Sequence, residues 1–163
     1  MKTTEMMIGE KDIWAGLNHP EIDDCEAEVL IFGIPYDGAV SFRSGSSDGP
    51  VELRKITYTI TPTTEYFESF EDLIVKDLGD MEGDTREEIF DKTENVVEEL
   101  VRSGKFFTMI GGDHSTTIPI IRGIDRAVDE EFGIIHIDAH FDLCDDIGGD
   151  RLSHGSTQRR ALD

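Results

Sequence analysis

At 163 residues the chain has the length of one ordinary domain, enough to bury a real hydrophobic core. Its 36 acidic residues against 15 basic ones leave a formal charge of −21. That balance argues against nucleic acid or an anionic membrane surface as the main partner, because both require a surplus of Lys and Arg. We read the acidic excess as a solvated surface. Taken from the start, residues 1–27 are polar and mixed, with no apolar core of a signal peptide and with Trp14 as the main candidate for packing onto the domain. Nowhere does an apolar stretch approach the roughly 20 residues that cross a bilayer, so the cytoplasm is the expected location. Cys25 and Cys144 lie far apart without paired spacing and read as reduced thiols, Cys144 as a buried or neutral one.

Residues 29–34 form a continuous apolar run of strand length, as expected of a strand covered on both faces. The run empties into a long loop at 35–50, rich in Gly, Ser and Pro, and long loops tend to carry function. Pro50 suits the first turn of a short helix over 51–58. A second strand is expected at 73–78, closed by Gly79 and Asp80. The helix that follows is signalled by Asp84 and Glu87 as N-cap and N3 of a capping box, by the stripe Ile89, Val96, Val97 and Leu100, and by Gly104 as its stop. A third strand at 106–110, a helix at 116–128 with Pro119 in its first turn, and a fourth strand at 133–137 complete the series. Strands separated by helical patterns predict a single α/β domain over 1–163 with a parallel sheet, and sites in such sheets form beyond the carboxyl ends of the strands.

The fourth apolar run ends in Asp138, His140 and Asp142, at every second position. In a strand such residues share a face, so the three are expected to converge. His114 follows a glycine pair at the end of the third strand and supplies another imidazole. Carboxylates and imidazoles together suit Mn, Zn, Fe or Co, with carboxylate-rich sites leaning toward Mn²⁺. Such a site lowers the pKa of water and provides hydroxide at neutral pH. His136 has the parity of Asp138, but mid-strand it is read as a histidine hydrogen-bonded within the core. Asp145, Asp146 and Asp150 read as a solvated loop, and His154 as a loop histidine within reach of the site as a proton shuttle.

Gly111-Gly112-Asp113-His114-Ser115, Asp138-Ala139-His140-Phe141-Asp142 and Ser153-His154-Gly155-Ser156 together resemble the ureohydrolase family of arginase and agmatinase. Gly33-Ile34-Pro35-Tyr36-Asp37 with Arg43, Gly45, Gly49-Pro50 and Arg54, and then Asp77-Leu78-Gly79-Asp80, agree with that resemblance. The stretch leading to Arg159-Arg160-Ala161 is more similar to agmatinases than to arginases. The resemblance implies a three-layer parallel sheet with helices on both faces, the arginase/deacetylase-like arrangement, incomplete in this chain. It implies two Mn²⁺ ions per complete site, with His114 and Asp142 on one ion, His140 on the other and Asp138 bridging. Asp142 would also orient the attacking hydroxide, and His154 would shuttle protons or bind substrate. The implied substrate is a small cationic guanidino compound, agmatine giving urea and putrescine, and the implied assembly is a homo-oligomer or a complex with a completing partner chain. The family's later Asp-x-Asp ligands and a later glutamate have no counterpart here. The competing readings are a non-catalytic or split partner subunit, and a related amidinohydrolase acting on arginine, guanidinobutyrate or formiminoglutamate.

Overall fold

The apolar run near residue 30 becomes the central strand. In the computed structural model, which describes residues 9–163, β1 (Val29–Ile34) lies between β2 (Val75–Asp80) and β3 (Phe106–Gly111) in the order β2-β1-β3. Both pairings are parallel, with Val29 opposite Val75 on one side and Phe106 on the other. Parallel neighbours need crossover connections. The first carries α1 (Gly49–Thr57) and the second carries α2 (Arg86–Arg102). After β3 the chain forms α3 (Thr117–Ala127) and, near its end, the short α4 (Thr157–Ala161).

Strand parity decides which helix covers which face. Leu30, Phe32 and Ile34 are fully buried and join one core with Ile89, Phe90, Val97 and Leu100 of α2 and Ile118 and Ile120 of α3. Each such side chain contributes roughly 1.5–3 kcal/mol by leaving water. On the other face, a Cβ at Gly33 would lie 2.8 Å from the Pro50 Cβ and 2.0 Å from an Asp80 oxygen, so only glycine lets the start of α1 approach this closely. Helices therefore cover both faces of the sheet. Arg54 then ties α1 to β2: its guanidinium donates to both oxygens of Asp77 (2.7 and 2.8 Å) and to Asp80 (2.6 Å). Trp14 packs onto the domain as expected, its indole N–H donating to Asp77 at 2.7 Å. Between α2 and α3, Gly123 leaves room for the Glu94 carbonyl, and buried Glu94 pairs with Arg122 and Arg126.

Three expectations need correction. The N-cap of α2 is Thr85, whose hydroxyl accepts from the Glu88 N–H, while the Glu88 carboxylate accepts from the Asp84 N–H. The cap sits one residue later than the Asp84/Glu87 reading, because Thr85 is the residue with extended backbone at the helix entry, and the Glu88 carboxylate reaches past it to Asp84 instead of closing a reciprocal box. Strand β2 is displaced by two residues and runs through Gly79 and Asp80. The strand expected at 133–137 does not form: among the described residues this segment has no ladder partner, and Ile135 and Ile137 are 92% and 94% exposed. An apolar run becomes a strand only when a neighbour takes up its N–H and C=O groups.

Candidate metal centre

Strand β3 delivers the first imidazole. Its exit turn presses on the loop after β1: the Gly112 N–H donates to the Ile34 carbonyl and the Asp113 N–H to the Tyr36 carbonyl. A Cβ at Gly112 would sit 2.0 Å from the Tyr36 oxygen, so the approach requires glycine. Asp113, buried, caps the single turn His114–Thr116 by accepting from the Ser115 N–H. That cap leaves the His114 side chain at the carboxyl end of the sheet, partly exposed.

The segment after α3 brings the other groups. Asp142 Oδ2 lies 2.6 Å from His114 Nδ1, and Asp138 Oδ2 lies 3.6 Å from the same nitrogen. Asp142 holds a left-handed backbone (φ 48°), a conformation Asp tolerates better than most residues. Its carbonyl accepts from the N–H groups of Gln158 and Arg159, two otherwise orphaned donors of the first turn of α4. Thr157 ties the two histidine-bearing turns together, its hydroxyl contacting the carbonyls of both His114 and His154.

His136, expected within the core, stands beside His114, and the His140 side chain lies farther out than the expected convergence. The His136 ring stacks on His114 with centroids 5.4 Å apart, its Nε2 lies 3.5 Å from Asp138 Oδ2, and that buried nitrogen has no hydrogen-bond partner. One ligand atom each from His114, His136, Asp138 and Asp142 lies within 4.8 Å of the other three. The His140 side chain is 81% exposed, with Nδ1 3.6 Å from Asp138 Oδ1. Asp138 Oδ1 accepts from the His140 backbone N–H at 2.8 Å, and this local turn breaks the two-residue alternation. The same N–H, followed by the positive fields of nearby imidazoles, holds the Asp138 carboxyl below the usual carboxylate range. The one feature that pointed to His136 in the sequence was its shared parity with Asp138.

Two imidazoles and two carboxylates, one nitrogen of them buried without a hydrogen-bond partner, suit a divalent ion of borderline hardness. His154 lies on the next turn, its Nδ1 2.6 Å from the Ala39 carbonyl. With Ser41, His140 and Asp142 it lines a cavity of about 640 Å³. Cys144 lines the same cavity and is exposed, so of the expected buried or neutral thiol the buried alternative does not hold, while both cysteines are free, as expected of reduced thiols. Of the acidic loop residues, Asp145 pairs with Arg160 and Asp150 with Arg86, so the loop is partly ion-paired rather than simply solvated.

The arginase family pattern matches residues 27–163. An agmatinase of Bacillus anthracis is 33% identical over 150 residues, covering 90% of this chain and 50% of that protein. A guanidinobutyrase of Pseudomonas aeruginosa is 33% identical over 147 residues, covering 88% of this chain and 45% of that protein. Among solved structures, Trypanosoma cruzi formiminoglutamase with Mn²⁺ superposes with a TM-score of 0.83 at 26% identity, covering 93% of this chain and 52% of that one. The chain thus spans about half the length of the relatives it matches. Since the family pattern takes in most of the described residues and the chain superposes on a solved relative, this chain belongs to the arginase family.

Proposed function

We propose that the chain carries the metal-holding part of an agmatinase-like hydrolase, acting on the guanidino C–N bond of agmatine to give urea and putrescine. The observation behind this reading is the 2.6 Å approach of His114 to Asp142, two residues delivered by separate segments and joined there by Asp138. Of the clustered groups, His114, Asp138 and Asp142 would hold divalent ions, Mn²⁺ by their carboxylate content, with His136 packed against the His114 ring and the more exposed His140 reaching the second of two. The bound ions would supply hydroxide near neutral pH by lowering the pKa of water. Asp142 keeps its carboxylate in place because its own carbonyl is pinned to α4. His154 faces the cavity and would act as a relay at Nε2, taking up a proton released from the water and passing it to the departing amine. Overall, one water is consumed: hydroxyl goes to the guanidino carbon and hydrogen to the amine.

The test is Mn²⁺-dependent urea release from agmatine and from 4-guanidinobutyrate, by the chain alone and together with an added segment homologous to the remainder of its relatives. The expected outcome is little turnover alone and agmatine preferred when completed; no urea in either form overturns the assignment. In the completed enzyme, His140→Ala abolishes turnover while leaving the fold intact. A second reading, a subunit that is completed by or regulates another copy of the fold, is favoured by one observation: Ile135, Ile137 and Phe141 are 92%, 94% and 83% exposed along one segment. A homo-oligomer or a completing partner chain would cover them. Among the described residues no helix is long and apolar enough to cross a membrane, and we place the protein in the cytoplasm.

A further inference from the structure

Asp113 and the Ala39 peptide stand between the metal-ligand turn and His154, and the arrangement of their hydrogen bonds fixes where the His154 proton resides. Asp113 is buried and uses both carboxylate oxygens. Oδ1 accepts from the N–H and hydroxyl of Ser115, which shapes the turn that carries His114. Oδ2 accepts from the Ala39 N–H at 2.9 Å, across 74 residues of sequence. The other end of the same residue, the Ala39 carbonyl, lies 2.6 Å from His154 Nδ1. A carbonyl oxygen only accepts, so Nδ1 carries the hydrogen, and in the neutral ring Nε2 is then the nitrogen with the lone pair.

We propose that Asp113 is a positioning residue: through the Ala39 backbone it holds His154 in the Nδ1–H tautomer and presents Nε2 to the cavity as the proton-accepting atom. One turn thereby sets two things, the direction of the His114 imidazole and the protonation pattern of an imidazole 40 residues further on. The main chain of His154 is tied to the same turn, since the Thr157 hydroxyl contacts the carbonyls of His114 and His154. The packing of Ala39, buried beside the carboxylate, keeps water from competing for its N–H. Only the catalytic consequence rests on the hydrolase reading; the tautomer belongs to the chain itself.

The experiment is ¹⁵N NMR of the histidine side chains of the metal-free 163-residue chain, with His154 assigned by His154→Asn. The expected spectrum shows His154 Nδ1 at the protonated position and Nε2 at the unprotonated one at neutral pH, with the Ala39 amide protected from hydrogen exchange. In Asp113→Asn the retained oxygen stays with the two Ser115 donors and an NH₂ group confronts the Ala39 N–H. Loss of Ala39 protection is then expected, together with a shift of His154 toward the Nε2–H tautomer. Ser115→Ala leaves Oδ2 untouched and keeps the wild-type pattern. A wild-type His154 already in the Nε2–H form, or an Ala39 amide exchanging freely, overturns the proposal even if Asp113→Asn does not fold. An unchanged tautomer in a folded Asp113→Asn does the same. Because none of these readings involves turnover, a chain that shows the expected spectrum but releases no urea when completed would overturn the hydrolase assignment alone.

Discussion

Single side chains carry the geometry of the centre, and Gly112 is the plainest case. Its missing Cβ lets the turn after β3 meet the backbone of Tyr36, which a methyl group would approach to 2.0 Å. Gly112→Ala is expected to lower stability by roughly 2–3 kcal/mol, read as a shift of the denaturant midpoint with the slope unchanged. Burial alone would raise the Asp150 carboxyl; the Arg86 guanidinium and the Leu152 N–H outweigh it and hold that group below its usual range. A depressed folded value means stability that is present above the unfolded pKa near 3.9 and is lost as pH falls through the folded value. Asp150→Asn should therefore flatten the acid limb of a stability–pH profile by a few tenths to about 1 kcal/mol, since the pair is a third exposed on the Asp side. At this scale His114, Asp138 and Asp142 were legible from residue type and spacing. The places of His136 and His140 were not, because a strand count assumes regular alternation, whereas the Asp138 carboxylate accepting the His140 N–H starts a turn just where the count is applied.

Elements divide the same way. β1, α2 and α3 follow from apolar runs and helical stripes, because those side chains found the core that their pattern anticipates, and β3 follows too although only Phe107 and Met109 pack against that core and Phe106 stays exposed. Residues 133–137 show the limit of such reading: a hydrophobic run records what a segment would bury, and not whether a neighbouring strand is there to pair with it. The entry of α2 shows another, since Asp84 and Thr85 are both good caps and neighbouring acids both suit N3. Backbone conformation settles it in favour of Thr85. Thr85→Ala should cost about 1 kcal/mol and Asp84→Ala less than about 0.5, compared by thermal unfolding. A larger cost at Asp84 than at Thr85 would return the cap to Asp84.

At the scale of the molecule, the described residues form a three-stranded parallel sheet with helices on both faces, the chain has about half the span of its relatives, and the candidate centre lies at the carboxyl end of that sheet. Exposed apolar side chains gather on the segment that also carries Asp138 and Asp142, so whatever covers those side chains would also stiffen the centre. On this reading, groups from two distant segments act together on a metal ion. Calorimetric titration of Mn²⁺ into the chain, beside His114→Ala and Asp142→Asn of unchanged circular dichroism, tests it most directly. Weak, saturable binding is expected, falling at least about tenfold in both variants; identical isotherms in all three proteins would show that these groups do not share an ion.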